Sequence, residues 1–131
     1  PNLDMDIAWL KAKVDNGADY IVTQMFFDNK KYFDFVENCR IQGINVPIIP
    51  GIKPIVNLNQ LTVLPKVFGV DLPTELATEL LKCKNDAEAK LVGIDWCIAQ
   101  TEDLIRHGIP SIHYYSHNAT QSVKNVVSKV F

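Results

Sequence analysis

At 131 residues, with 47% hydrophobic and 21% charged side chains, the chain is globular in composition and long enough for one modest domain. A formal net charge of -2, from 13 basic and 15 acidic residues spread along the sequence, gives no basic stripe for nucleic acid and no cationic cluster for an anionic membrane surface. No apolar run nears the roughly 18 residues of a membrane helix and Pro1-Asn2-Leu3-Asp4 lacks a signal-peptide pattern, so a cytoplasmic protein is expected.

In chain order, Asn2 or Asp4 can cap a first helix with the apolar stripe Ile7, Leu10 and Val14, which Asn16-Gly17 ends. Tyr20 to Phe26 follows as a strand of almost unbroken apolar character, read as buried on both faces, with one amide, Gln24, near its C-terminal end. Such an amide must be satisfied by the protein or by a ligand, because burying it unpaired costs about 1–3 kcal/mol. Asp28 or Asn29 caps a second helix that turns Tyr32, Phe33, Phe35, Val36 and Cys39 inward and stops at Gly43. Val46 to Pro50 is the next buried run, with prolines at its two ends. Helices are predicted over Asn57–Val67, Pro73–Lys82 and Asp86–Arg106, then a strand over Ser111–Tyr115 and a terminal helix over Asn118–Val130.

Three strands separated by helices predict an α/β protein with a parallel sheet. Three strands cannot close a barrel, so residues 1–131 read as a single partial domain, about three strand/helix units of an open wedge from the C-terminal portion of a (β/α)8 TIM barrel. Uncovered sheet edges then predict a homo-oligomer or association with the missing barrel half. The opening on proline, with no methionine, likewise reads as a piece of a longer polypeptide. Cys39, Cys83 and Cys97 lack a CxxC spacing, fall in predicted helices, and read as free core thiols.

Ligand groups in parallel α/β folds lie where strands end. Gln24, the Pro50-Gly51-Ile52-Lys53-Pro54 loop up to Gln60, and Tyr115-Ser116-His117-Asn118 occupy those places. Two amides and a phenol can orient a neutral heterocycle but are poor proton donors or nucleophiles at neutral pH, so this set suits binding and not catalysis. Each has a bland reading: Asn57-x-x-Gln60 has capping-box spacing, Tyr115 can be packed with a wet hydroxyl, and Lys53 reads as a solvated loop lysine. His107, His113 and His117 are too dispersed in the pattern for a shared metal, and none is expected.

The runs Thr23-Gln24-Met25-Phe26-Phe27-Asp28, Ile48-Ile49-Pro50-Gly51-Ile52-Lys53-Pro54 and His113-Tyr114-Tyr115-Ser116 resemble, in order and spacing, strands six to eight of the 5,10-methylenetetrahydrofolate reductases, over essentially the whole chain. The resemblance implies a flavoprotein oxidoreductase of one-carbon metabolism and methionine biosynthesis, in which FAD is reduced by NADH or NADPH and passes hydride to 5,10-methylenetetrahydrofolate, giving 5-methyltetrahydrofolate by a ping-pong sequence. It implies that Gln24 contacts folate or nicotinamide, that Gln60 and Leu64 line the same cavity, that Tyr115 contacts the nucleotide or folate, and that Val22 approaches the flavin. Two positions depart from the family pattern: Leu64 stands where an aromatic often stacks, and Ala119 where an arginine often holds the glutamate tail. The general-acid glutamate and most FAD contacts of the family come from earlier strands, so the isolated chain is expected to be inactive. Two other classes stay open, a non-catalytic α/β ligand-binding module and an aldolase-type lyase using Lys53 as a Schiff-base amine.

Overall fold

The computed structural model of the chain describes residues 3–131. Helix α1 (Leu3–Asp15) turns at Gly17, whose φ of +111° suits glycine, into strand β1 (Ile21–Val22). Helix α2 (Asn29–Ile41) is capped by Asp28, whose Oδ1 accepts from Lys30 N at 3.0 Å. Then come β2 (Ile48–Ile49), β3 (Gly51–Ile52), α3 (Gln60–Phe68), α4 (Thr74–Leu81), α5 (Asp86–Arg106), β4 (His113–Tyr114) and α6 (Thr120–Val130). Asn85 caps α5 by accepting from Glu88 N at 2.9 Å, and the Glu88 carboxylate returns to Lys84 N.

β1 pairs in parallel with β2, Ile21 opposite Ile48 and Val22 opposite Ile49; β3 pairs in parallel with β4, Gly51 opposite His113 and Ile52 opposite Tyr114. β2 and β3 are halves of one run that changes partner at Pro50. Its outer half takes Ile21 N on Pro47 O and Thr23 N on Ile49 O, and its inner half takes His113 N on Pro50 O and Tyr115 N on Ile52 O. Proline has no N–H to give a neighbour, so the ladder toward β4 can begin only with the Pro50 carbonyl. The run 48–52 is thus the middle strand of three, and the sheet does not close among the described residues.

Helices cover one face of this sheet. Ile48 and Ile52 point into a core with Ile7 of α1, Tyr32 and Cys39 of α2, Cys97 and Leu104 of α5 and Val126 of α6. A second core lies beyond the strand ends, where Phe27, Ile55, Leu64, Val70, Leu76, Leu80 and Ala89 meet. Burial pushes the Cys97 thiol up to about 12, so it is an inert apolar filler. The Tyr32 hydroxyl, on a side chain 4% exposed, donates to Ile48 O at 2.6 Å. Tyr32→Phe leaves that carbonyl unpaired, and we expect a loss of about 1–2 kcal/mol, read as a lower urea midpoint at unchanged slope.

The structure corrects several expectations. The strands near 20–26, 46–50 and 111–115 shorten to two-residue ladders, with the middle one divided at Pro50 instead of ending there. The first strand is not buried on both faces: Tyr20 is 59% and Val22 36% exposed, because among the described residues nothing packs on the side away from α1 and α2. Cys83 falls just after α4 and is half-buried, outside the core that holds Cys39 and Cys97. α3 starts at Gln60 and α6 at Thr120, each later than the sequence suggests, because Asn57 is spent as a cap and Asn118 takes a left-handed φ of +57°. Asn2, one expected cap of α1, lies outside the described residues, and Asp4 falls within the helix. Among the described residues no helix is long and apolar enough to cross a membrane.

Candidate ligand-binding face

Three adjacent parallel strands bring their C-terminal ends to one edge of the sheet. Side chains alternate along a strand, so those two residues apart share a face. Continuing the register of Val22 with Ile49 places Gln24 beside Gly51, and continuing that of Gly51 with His113 places Lys53 beside Tyr115. Val22, Gln24, Gly51, Lys53, His113 and Tyr115 therefore share the face opposite the Ile48–Ile52 core.

Gly51 is the tight point of this face. A Cβ there would lie 2.6 Å from Thr23 O, 2.6 Å from Tyr115 Cε2 and 3.1 Å from the Tyr115 hydroxyl. Only a glycine lets the ring cross the middle strand, and Tyr115 uses the gap to donate its hydroxyl to Thr23 O at 2.7 Å. Gly51 N donates to Thr23 Oγ1 at 2.9 Å, and the His113 ring packs edge-on against Tyr115 with centroids 4.6 Å apart. These contacts tie the outer strands together across the middle one.

Gln24 is exposed, and its Nε2 donates to Phe68 O at a long 3.4 Å. No burial penalty attaches to it in this arrangement. It stands with Val22 in the wall of a cavity of about 310 Å³ whose other walls include Leu10, Ile21, Phe26 and Phe35. An ion pair between Lys31 and Asp71, both exposed, joins α2 to the segment after α3.

The other expected site residues have structural duties. Gln60 accepts at Oε1 from Val56 N at 2.7 Å while its own N donates to Asn57 Oδ1 at 3.1 Å, two bonds that fasten the turn leading into α3. Leu64 is 3% exposed within the second core and does not reach the sheet face. Lys53 is half-buried instead of solvated, forms no ion pair among the described residues, and its amine is pushed below the usual lysine range by desolvation.

Sequence reasoning missed the scaffold under Gln24. Gln100, 5% exposed, donates from Nε2 to Phe26 O and Asn29 Oδ1, each at 3.1 Å. Asn29 Nδ2 donates to Gln100 O and Asp103 Oδ2, each at 3.0 Å, and Trp96 Nε1 donates to Phe27 O at 2.8 Å. The hydrogen bond from Asn29, with help from His107 and Arg106, holds the Asp103 carboxyl below the usual carboxylate range. The turn after Gln24 is thereby fastened to α5 by partners some 70 positions away, which no local pattern signals. Among the described residues no group of three or more His, Cys, Asp or Glu is placed to hold a metal ion.

Comparison with known proteins adds sequence and fold likeness. The family model described as methylenetetrahydrofolate reductase matches residues 1–130. Methylenetetrahydrofolate reductase (NADH) 1 of Arabidopsis thaliana is 40% identical over 123 residues, 93% of this chain and 21% of that protein. The 5,10-methylenetetrahydrofolate reductase of Salmonella typhimurium is 37% identical over 117 residues, 88% of this chain and 40% of that protein. The chain thus spans between a fifth and two fifths of these two relatives. A solved structure, an uncharacterized protein from Clostridium thermocellum that binds two copies of 5-methyl-5,6,7,8-tetrahydrofolic acid, superposes with a TM-score of 0.59 at 16% identity, covering 95% of this chain and 47% of that one.

Proposed function

The chain belongs to the methylenetetrahydrofolate reductase family, and from that premise we propose that its bare sheet face forms one wall of a folate and nicotinamide cavity. The cavity belongs to a larger (β/α)8 barrel that reduces 5,10-methylenetetrahydrofolate to 5-methyltetrahydrofolate with NADH or NADPH through FAD, in the cytoplasm. The observation that carries this reading is the gathering of Gln24, Gly51 and Tyr115 on one face, opposite the helix-covered core, at the C-terminal ends of adjacent parallel strands. The opposite face is filled by helices while this one carries exposed Tyr20 and Val22, as a barrel interior cut open would. The solved structure of similar fold that binds a reduced folate supports the ligand class.

Within that cavity the amide of Gln24 can both donate to and accept from a pterin or carboxamide edge, which fixes its orientation without exchanging a proton. Tyr115, already donating to Thr23 O, keeps an oxygen lone pair and a ring face for the ligand. Val22 offers an apolar contact suited to a flat ring system, beside a largely apolar cavity. These residues fit one side of a flavin, while the lysine in the wall of the neighbouring cavity, Lys31, is paired with Asp71. Bound FAD would supply two-electron transfer between nicotinamide and folate; no residue of this chain is assigned a proton-transfer role. Gln60 and Leu64 support the site through α3, the first by its hydrogen bonds and the second by its packing.

The test is NAD(P)H oxidation dependent on methylenetetrahydrofolate and FAD, assayed in the complete polypeptide and in residues 1–131 alone. Turnover in the former and none in the latter is expected. Comparable turnover by the short chain, or none by the complete one, overturns the reading.

A further inference from the structure

We propose that Lys53 is an anion-binding residue of this face, taking a carboxylate or phosphate oxygen of the ligand that lies on it; the inference rests on the folate and nucleotide reading above. Lysines removed from water are ordinarily paired with a carboxylate, because a lone desolvated charge is expensive. Lys53 is half-buried and has no such partner among the described residues. Its register neighbour is Tyr115, and the other polar groups of the face, Gln24 and His113, bring no negative charge either. The Tyr115 hydroxyl, which donates to Thr23 O, is neutral and brings no counter-charge to the ammonium. A cation held at the mouth of the sheet without an internal counterion is arranged for an external one.

The placement also fixes the range. Lys53 follows β3 directly and lies between Ile52 and Pro54, both buried, so its backbone is held by the ladder and only the side chain is free to move. By strand register the Lys53 side chain stands beside Tyr115, on the same face as Gly51 and Gln24. Both proposed ligands join a flat neutral heterocycle to anionic oxygens, the folate through its glutamate carboxylates and the nucleotide through its pyrophosphate. The amide and phenol suit the heterocycle; among the described residues of this face Lys53 is the ammonium that suits the anion, with the His113 imidazole the other N–H donor there. The lowered pKa of the amine agrees with this, since an arriving anion would favour the charged form and recover part of the desolvation.

The experiment is titration calorimetry of the complete polypeptide with 5-methyltetrahydrofolate and, separately, NADH, for wild type, Lys53→Met and Lys53→Arg, at two salt concentrations. We expect Lys53→Met to weaken one ligand roughly tenfold, Lys53→Arg to stay near wild type, and the gap between Met and wild type to narrow at higher salt. Weakening confined to the folate identifies a carboxylate as the bound group, and weakening confined to NADH identifies a phosphate; each supports the inference. Equal affinities of wild type and Lys53→Met for both ligands overturn it while leaving the proposed function standing. If wild type binds neither ligand, that function fails and this inference falls with it. Borohydride trapping of a carbonyl compound on Lys53 also overturns it, by showing the amine to be a nucleophile.

Discussion

Gly93→Ala is expected to destabilise the protein by about 3 kcal/mol or more, a drop in melting temperature of roughly 10 °C or greater. The sign is opposite to the general rule, since glycine to alanine within a helix ordinarily gains about 1 kcal/mol. Here α5 lies directly on the chain that follows β3. A Cβ at position 93 would be 2.0 Å from Ile55 O and 2.8 Å from both Ile55 C and Ile55 N, all backbone atoms with no rotamer to yield. The helix would have to withdraw, and α5 carries Ala89 into one core and Cys97 and Leu104 into the other. Thermal or urea unfolding measures the effect. A neutral or stabilising Gly93→Ala contradicts the α5 contact and, with it, the placement of the 53–56 segment.

Gly51→Ala is the second large effect, and it joins stability to ligand binding. The new methyl would meet the Thr23 carbonyl and the Tyr115 ring at 2.6 Å each. The ring can swing away but the carbonyl cannot, so the Tyr115–Thr23 hydrogen bond is lost and β1 separates from the middle strand. We expect a destabilisation of about 2 kcal/mol together with a loss of folate affinity of tenfold or more. Tyr115→Phe separates the contributions, since it removes the hydroxyl and keeps the ring; about 1 kcal/mol and a smaller change in affinity are expected. If Gly51→Ala resembles Tyr115→Phe in both readouts, the close approach at Gly51 is unimportant.

These two glycines show how much of the molecule was legible in the sequence. Helix α5 was readable to the residue, because Asn85 and His107-Gly108 are local punctuation acting at either end. The parallel order of strands followed from helices between them, and the runs around Gln24, Gly51 and Tyr115 pointed to adjacent strand ends. An apolar run reports an affinity for burial but does not reveal whether a second layer is present, so Val22 and Gln24 were read as covered although their face is bare. The family resemblance puts Leu64 at the cavity, and in the structure its side chain is buried in the second core. The sequence leaves Gln60 open between ligand contact and cap, and in the structure it accepts from Val56 N and donates to Asn57 Oδ1 at the start of α3. The Gln100–Asn29–Asp103 network and the desolvation of Lys53 arise from contacts distant in sequence, which a single chain without its fold does not display.

The central claim is that Gln24 looks onto a reduced folate from this sheet face. Its most direct test is the affinity of the complete polypeptide for 5-methyltetrahydrofolate with Gln24→Ala, set beside an unfolding curve of the same variant. Gln24 is exposed and makes only one long hydrogen bond within the chain, so the account predicts stability within about 0.5 kcal/mol of wild type and an affinity lower by roughly tenfold or more. Undiminished affinity in the folded variant contradicts it.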